Sequence, residues 1–113
     1  MPEPSVTPGG AEPTVRVPEA TGLAAVPTVQ IDNDRVRVTE WRFAPGAATG
    51  WHRHEFDYVV VSLSAGRLAA RTADGVTTAD LVIGQAYFRT RGVEHDVVNV
   101  NPHDFAFVEV EIR

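Results

Sequence analysis

His52 and His54 stand two residues apart in the run Trp51-His52-Arg53-His54, which reads as extended chain. Side chains two apart on a strand point to the same face, so the two imidazoles can converge while Arg53 points away. Imidazole nitrogens bind a divalent transition ion at ~2.0–2.1 Å. A third ligand would have to come from a distant strand, and His95 is the natural candidate. His103, in Asn101-Pro102-His103-Asp104, reads as a surface turn residue. The sequence has no cysteine. That excludes disulfides, thiolate catalysis, iron–sulfur clusters and cysteine-type zinc sites, and leaves nitrogen and oxygen as the only ligand atoms. All ten basic residues are arginine, so a lysine Schiff base is excluded as well.

The elements that must position these histidines read as strands and turns from Thr28 onward. Thr28–Asp32 and 35–43 flank an Asn33-Asp34 turn. In the second run the apolar phase switches from Val36 and Val38 to Trp41 and Phe43. The switch implies a bulge or a strand passing between two packing environments. Further strands are expected over 51–54, 58–63, 67–72, 76–80, 86–89, 94–99 and 105–112, separated by Gly, Pro, Asn and Asp turns. No segment carries helical periodicity with caps. Many short strands at regular spacing mean an all-β sandwich or barrel. In the last strand Glu109 and Glu111 alternate with Val108, Val110 and Ile112, which puts the aliphatic residues toward a core and the glutamates toward water. If Glu109 pointed inward instead, it would be a candidate base or substrate orienter.

The chain has 113 residues, enough for one core and too few for two. Residues 26–113 read as a single domain. Five prolines and three glycines between Met1 and Gly22 leave little apolar surface to offset ordering entropy, so residues 1–25 read as a flexible Pro-rich tail or an exchanged edge strand. Val15–Val17 is the candidate strand within it, ended by Pro18. The formal charge is −5 with no basic cluster, which argues against nucleic acid as a partner. Apolar runs are far shorter than a membrane span, and no secretory pattern opens the chain, so the expected compartment is the cytoplasm.

The spacing of these residues resembles the two signature motifs of the cupin superfamily. The first motif runs G-x5-H-x-H and closes on a later glycine; here these are Gly46, His52, His54 and Gly66. The second runs G-x5-P-x-G-x2-H-x3-N; here Gly84, Gly92, His95 and Asn99 match, with Thr90 where proline is usual. The resemblance covers about half the chain. It implies a jelly-roll β-barrel (a double-stranded β-helix) holding one divalent metal on His52, His54 and His95. The glutamate usual in the first motif is absent, its place taken by Tyr58 and then Val59. Glu55 and Asp57 flank the site but would reach the ion only in bent geometry.

A neutral three-nitrogen site leaves open coordination positions. Imidazoles suit Fe, Zn, Ni, Mn or Cu, so the metal's identity stays open. Among cupins, three-histidine sites without the glutamate include thiol and β-diketone dioxygenases, and the resemblance implies Fe(II)-dependent oxygenation of a small organic substrate. The alternatives are a non-catalytic small-ligand sensor and a Zn- or Ni-dependent lyase, isomerase or hydrolase. Tyr58, Phe88, Phe105 and Phe107 are the candidate substrate walls, with Trp41 and Phe43 as alternatives. Tyr58 and Glu109 are the candidate catalytic groups. Arg42, Arg89 and Arg91 are candidates to pair with a substrate carboxylate, and Glu94 or Asp96 to orient an imidazole. By analogy with small cupins, the expected assembly is a homodimer.

Overall fold

The computed structural model describes residues 6–8 and 22–113. Among the described residues ten strands follow one another: β1 Val6–Pro8, β2 Val26–Asp32, β3 Val36–Phe43, β4 His52–Arg53, β5 Asp57–Ser62, β6 Gly66–Thr72, β7 Gly75–Leu81, β8 Ala86–Arg89, β9 Glu94–Asn99 and β10 Phe105–Ile112. They form two five-stranded sheets, ordered β1-β7-β6-β9-β4 and β2-β3-β10-β5-β8. Neighbouring strands within each sheet run antiparallel. The chain passes repeatedly between the sheets, as in a jelly roll. No helix among the described residues is long and apolar enough to cross a membrane.

Local chemistry sets the corners. Asn33 closes the β2–β3 turn by accepting hydrogen bonds on Oδ1 from the backbone N–H groups of Arg35 (2.8 Å) and Val36 (2.9 Å). At Gly66, which opens β6 with φ +151°, an added Cβ would lie 2.6 Å from Asn101 Oδ1. Only glycine lets that amide approach the backbone so closely. The candidate strand at Val15–Val17 lies outside the described residues. The edge strand that the structure does describe is β1, which pairs with β7 from Val6↔Ala79 to Pro8↔Thr77. Pro8, lacking an N–H, suits such an edge.

The phase switch in β3 is not a bulge in that strand. β3 pairs with β10 without interruption from Phe43↔Phe105 to Val36↔Ile112, and the register shift falls across the other edge, between Val29 and Ile31 of β2. β3 changes environment along its length instead: Phe43 is buried in the core between the sheets, while Val36 and Val38 are only half buried.

The alternation of β10 runs opposite to the sequence expectation. Directly opposed residues share a sheet face. Thr39, Glu109, Val60 and Tyr87 form one row across four strands, and Thr39, Glu109 and Val60 are buried. The next row, Ile31, Val38, Val110, Val59 and Phe88, lies on the outer face, with Ile31 and Phe88 exposed. The glutamate therefore points inward and the valines outward. Polarity alternation alone cannot tell which face of a strand is covered, because both faces of this sheet carry aliphatic residues.

Between the sheets Phe43, Tyr58, Leu68, Leu81 and Phe105 form the centre of the core. Phe107 packs on Phe43 with ring centroids 5.4 Å apart. This core fills one end of the sandwich; toward β4 and β9 the packing opens into a cavity whose lining is mostly apolar.

Candidate metal centre

The site is built where β4 meets β9. These strands are direct neighbours, with His52 opposite His95 and Arg53 opposite Glu94. Beyond β4 the contact continues: the His54 N–H donates to the Val93 carbonyl (2.8 Å), and the Gly92 N–H to the His54 carbonyl (2.8 Å). The third ligand thus comes from the strand next door in space, although it is remote in sequence. Arg53 points away, as strand geometry requires, and lies within 3.5 Å of Glu55 and 3.8 Å of Glu94.

Three ring nitrogens converge. His54 Nε2 is 3.1 Å from His52 Nε2 and 3.1 Å from His95 Nε2. The ligand atoms of all three residues lie within 4.8 Å of one another. Two nitrogens bound near a right angle to a common ion at ~2.1 Å stand ~3 Å apart, so the observed spacing fits a divalent metal. His52 Nδ1 is 2.9 Å from the Gly50 carbonyl, an acceptor only, so Nδ1 carries the proton and Nε2 presents its lone pair. The loop that supplies this carbonyl is itself anchored. The Gly50 N–H donates to Asp96 Oδ1 (3.0 Å), and Thr49 Oγ1 accepts from the Val97 N–H (3.0 Å). His54 lies flat on the Tyr58 ring, centroids 3.8 Å apart and planes within 15°.

Burial keeps the imidazoles neutral. His54 and His95 are 6% and 7% exposed. Desolvation first, then electrostatic repulsion from His52 and Arg89, lower the pKa of His54 to about 4. Desolvation first, then His52, His54 and Arg89, lower that of His95 to about 3. Near pH 7 both rings therefore offer lone pairs to a metal. Glu109 moves the other way: desolvation first, then repulsion from Glu111, raise its pKa to about 7 against the opposing pull of Arg37.

These shifts set the acid response of the metal-free protein. Between pH 4.5 and 6.5 the unfolded chain carries protons on both histidines and none on the glutamate, whereas the native chain carries one, on Glu109. The unfolded state thus binds one more proton, and stability falls as pH drops through this window, by roughly 1.4 kcal/mol per pH unit. Urea unfolding of the metal-free protein at pH 6.5 and 5 should show a lower midpoint in acid. An unchanged or higher midpoint would contradict this charge assignment.

A cavity of about 70 Å³ opens at the imidazoles, room for several waters or a small organic molecule. Trp41, Tyr58, Tyr87 and Phe107 give it aromatic walls, and Arg89 and Glu109 give it charge of both signs. Of the sequence candidates, Tyr58, Phe107, Glu109 and the alternative Trp41 line the cavity, whereas Phe43 is buried in the core outside it. Phe105 is buried outside the lining and Phe88 is 42% exposed. Arg42 pairs with Glu40 at 2.8 Å and Arg91 is exposed, leaving Arg89 as the arginine at the cavity. Glu55 is exposed, and Asp57 accepts the Arg91 N–H (2.8 Å), so neither completes the histidine cluster. Glu94 is exposed, and Asp96 holds the Gly50 loop. His103 is exposed, with Nδ1 donating to the Asp104 carbonyl (2.8 Å). Tyr87 was not among the sequence candidates. It sits opposite Val60, in the row that also holds Glu109, and only the strand register exposes that relation.

No protein-family model matches the chain. A cupin domain from Bordetella pertussis, solved by crystallography, has 55% sequence identity and a TM-score of 0.79, covering 80% of this chain and 95% of that one. A protein with a double-stranded β-helix domain from Klebsiella pneumoniae shares the fold at a TM-score of 0.67 and 21% identity, covering 88% of this chain and 89% of that one. The chain belongs to the cupin superfamily, in a form with three histidines at its candidate metal site. It is also similar to a protein of Pseudomonas aeruginosa named beta-alanine degradation protein BauB, 62% identical over 89 residues, which span 79% of this chain and 94% of that protein.

Proposed function

We propose that the protein is a metal-dependent enzyme of small-molecule breakdown: an Fe(II) dioxygenase acting on a short organic acid or a related thiol or β-dicarbonyl compound. The observation that carries this reading is the convergence of three imidazoles, two of them buried, His54 Nε2 lying 3.1 Å from each of the other two, on the wall of a small mixed-polarity cavity. The name of the Pseudomonas relative, which refers to degradation of a three-carbon amino acid, supports a small aliphatic substrate.

His52, His54 and His95 would hold the ion, which supplies Lewis acidity and open positions for substrate and dioxygen. The chain's own residues do the rest. The stacked Tyr58 ring and the Gly50 carbonyl hold two imidazoles in orientation. Trp41 and Phe107 give the cavity apolar walls that exclude bulk water. Arg89 presents a cation to substrate acid groups, and the Glu109 carboxylate is placed to accept a substrate proton.

The test is oxygen uptake by protein loaded anaerobically with Fe(II), against a panel of β-alanine, three-carbon hydroxy and oxo acids, thiols and β-diketones. Uptake with one class, abolished in His95→Ala, is the expected result. No uptake with any of them, together with turnover by the Zn(II)-loaded protein, would replace the dioxygenase with Lewis-acid chemistry.

A further inference from the structure

Glu109 is a buried acid beside the histidine cluster. It is 8% exposed, and among the described residues its carboxylate makes no hydrogen bond. The His54 ring lies nearby, with Nε2 3.9 Å from Oε1, beyond hydrogen-bonding reach. On the flanking inward positions Val60, opposite on β5, has no donor, and the Thr39 hydroxyl, opposite on β3, makes no hydrogen bond to the carboxylate. Glu109 lines the cavity, so a molecule bound there can supply the donor that the protein does not.

The metal ion is not that molecule. Glu109 stands outside the set of converging ligand atoms formed by His52, His54 and His95. What its carboxylate does face is the cavity, beside the centre that would hold the ion and on the same lining as Arg89. Strand spacing of ~4.8 Å and a two-residue step put the Glu109 and Arg89 backbones roughly 12 Å apart across β10, β5 and β8, leaving room for a few ligand atoms between the side chains.

We propose that Glu109 is the hydrogen-bond acceptor that selects protic ligands at this centre: short organic acids whose carboxylate faces Arg89 and whose hydroxyl or ammonium group donates to Glu109. The proposal rests on the metal-centre reading and adds a substrate class to it. It does not depend on the reaction being an oxygenation.

The experiment uses the full chain loaded with Co(II), whose visible absorption reports ligand binding at the metal. Two probes, 3-hydroxypropanoate and propanoate, share the carboxylate and differ by one hydroxyl. At pH 8 the wild-type protein is expected to bind the hydroxy acid at least tenfold more tightly, the preference that a hydrogen bond to a charged acceptor confers. Glu109→Met, which fills similar volume without polarity, is expected to bind the two probes within about twofold of each other, with Co(II) content unchanged and a Tm equal to or above wild type. Glu109→Gln keeps a neutral acceptor and should retain part of the preference.

Several results overturn the proposal. They are a full preference in Glu109→Met, no preference in wild type, loss of Co(II) in Glu109→Met (which would make Glu109 a ligand), or a marked fall in Tm (which would make it structural). Failure of the wild type to load Co(II), or equal loading in His54→Ala, removes the metal-centre reading and this proposal with it. A loaded centre that ignores the hydroxyl removes this proposal alone.

Discussion

Replacing His95 with alanine is expected to remove stoichiometric metal from the purified protein and to abolish the stabilisation that added metal gives the wild type. The ligand set is small: three imidazoles, of which His54 and His95 are buried and neutral. Removing His95 leaves two imidazoles and no carboxylate within the cluster to replace it. Metal binds the native state and stabilises it by mass action, by about 4 kcal/mol when the free ion is a thousandfold above its Kd. For a domain of this size that corresponds to a Tm increase of roughly 15 °C or more.

Thermal unfolding with and without Zn(II), Ni(II) or Fe(II), alongside elemental analysis of protein purified without a histidine tag, reads both quantities. The metal-free His95→Ala protein should unfold within a few degrees of metal-free wild type. The mutation removes a desolvated imidazole and one member of a crowded nitrogen cluster, and an apolar side chain tolerates that place. A metal-induced Tm shift in His95→Ala as large as in wild type would show that the cluster is not where metal binds.

Much of this centre was legible before any coordinates. The two-residue spacing of His52 and His54, set in extended chain, already put both rings on one face. The second motif carried His95 and Asn99 at their correct distance from Gly92. The strands beyond Pro27 were legible to within one or two residues, because each is bounded by turn residues whose chemistry is local; β8, β9 and β10 fall where expected. Two things were not legible. One was the facing of β10: Val108, Val110 and Ile112 look like core residues by polarity, and only pairing with β3 and β5 shows that Glu109 shares the buried face of Val60. The other was the choice among Arg42, Arg89 and Arg91. Each follows a similar local pattern, and what separates them is long-range: Arg89 lies opposite Tyr58 across the β5–β8 pair, on the cavity side. Local chemistry writes turns and spacings into the sequence, whereas the covered face of a strand is decided by its neighbours.

The largest stability effect is expected at a residue that touches neither metal nor cavity. Asn99 is fully buried at the end of β9. Its Nδ2 lies 3.2 Å from the carbonyls of Phe43 and Ala44 and 2.9 Å from that of His103, so two amide hydrogens are shared among three acceptors. Its Oδ1 accepts from the Asn101 N–H (2.9 Å) and from Asn101 Nδ2 (2.8 Å). Asn101 in turn brackets Arg67, accepting its N–H and donating to its carbonyl, each at 2.8 Å. One side chain thus ties the end of β9 to the end of β3, the His103 loop and, through Asn101, the start of β6. Asn99→Ala leaves the Phe43 carbonyl buried without this donor, at about 1–3 kcal/mol, and takes from Asn101 the acceptor of two of its bonds; Ala44 and His103 are exposed, so water can reach their carbonyls. With some relaxation the expected loss is about 4 kcal/mol, a large share of the ~5–15 kcal/mol that holds a domain of this kind together. Asn99→Asp should be no better, since it keeps Oδ1 but turns a negative charge toward three carbonyl oxygens. Asn101→Ala, at a half-buried position with water at hand, should cost less than either. Urea unfolding of the three variants orders them directly. An Asn99→Ala protein within about 1 kcal/mol of wild type would mean that the junction is held by packing and that its hydrogen bonds are dispensable.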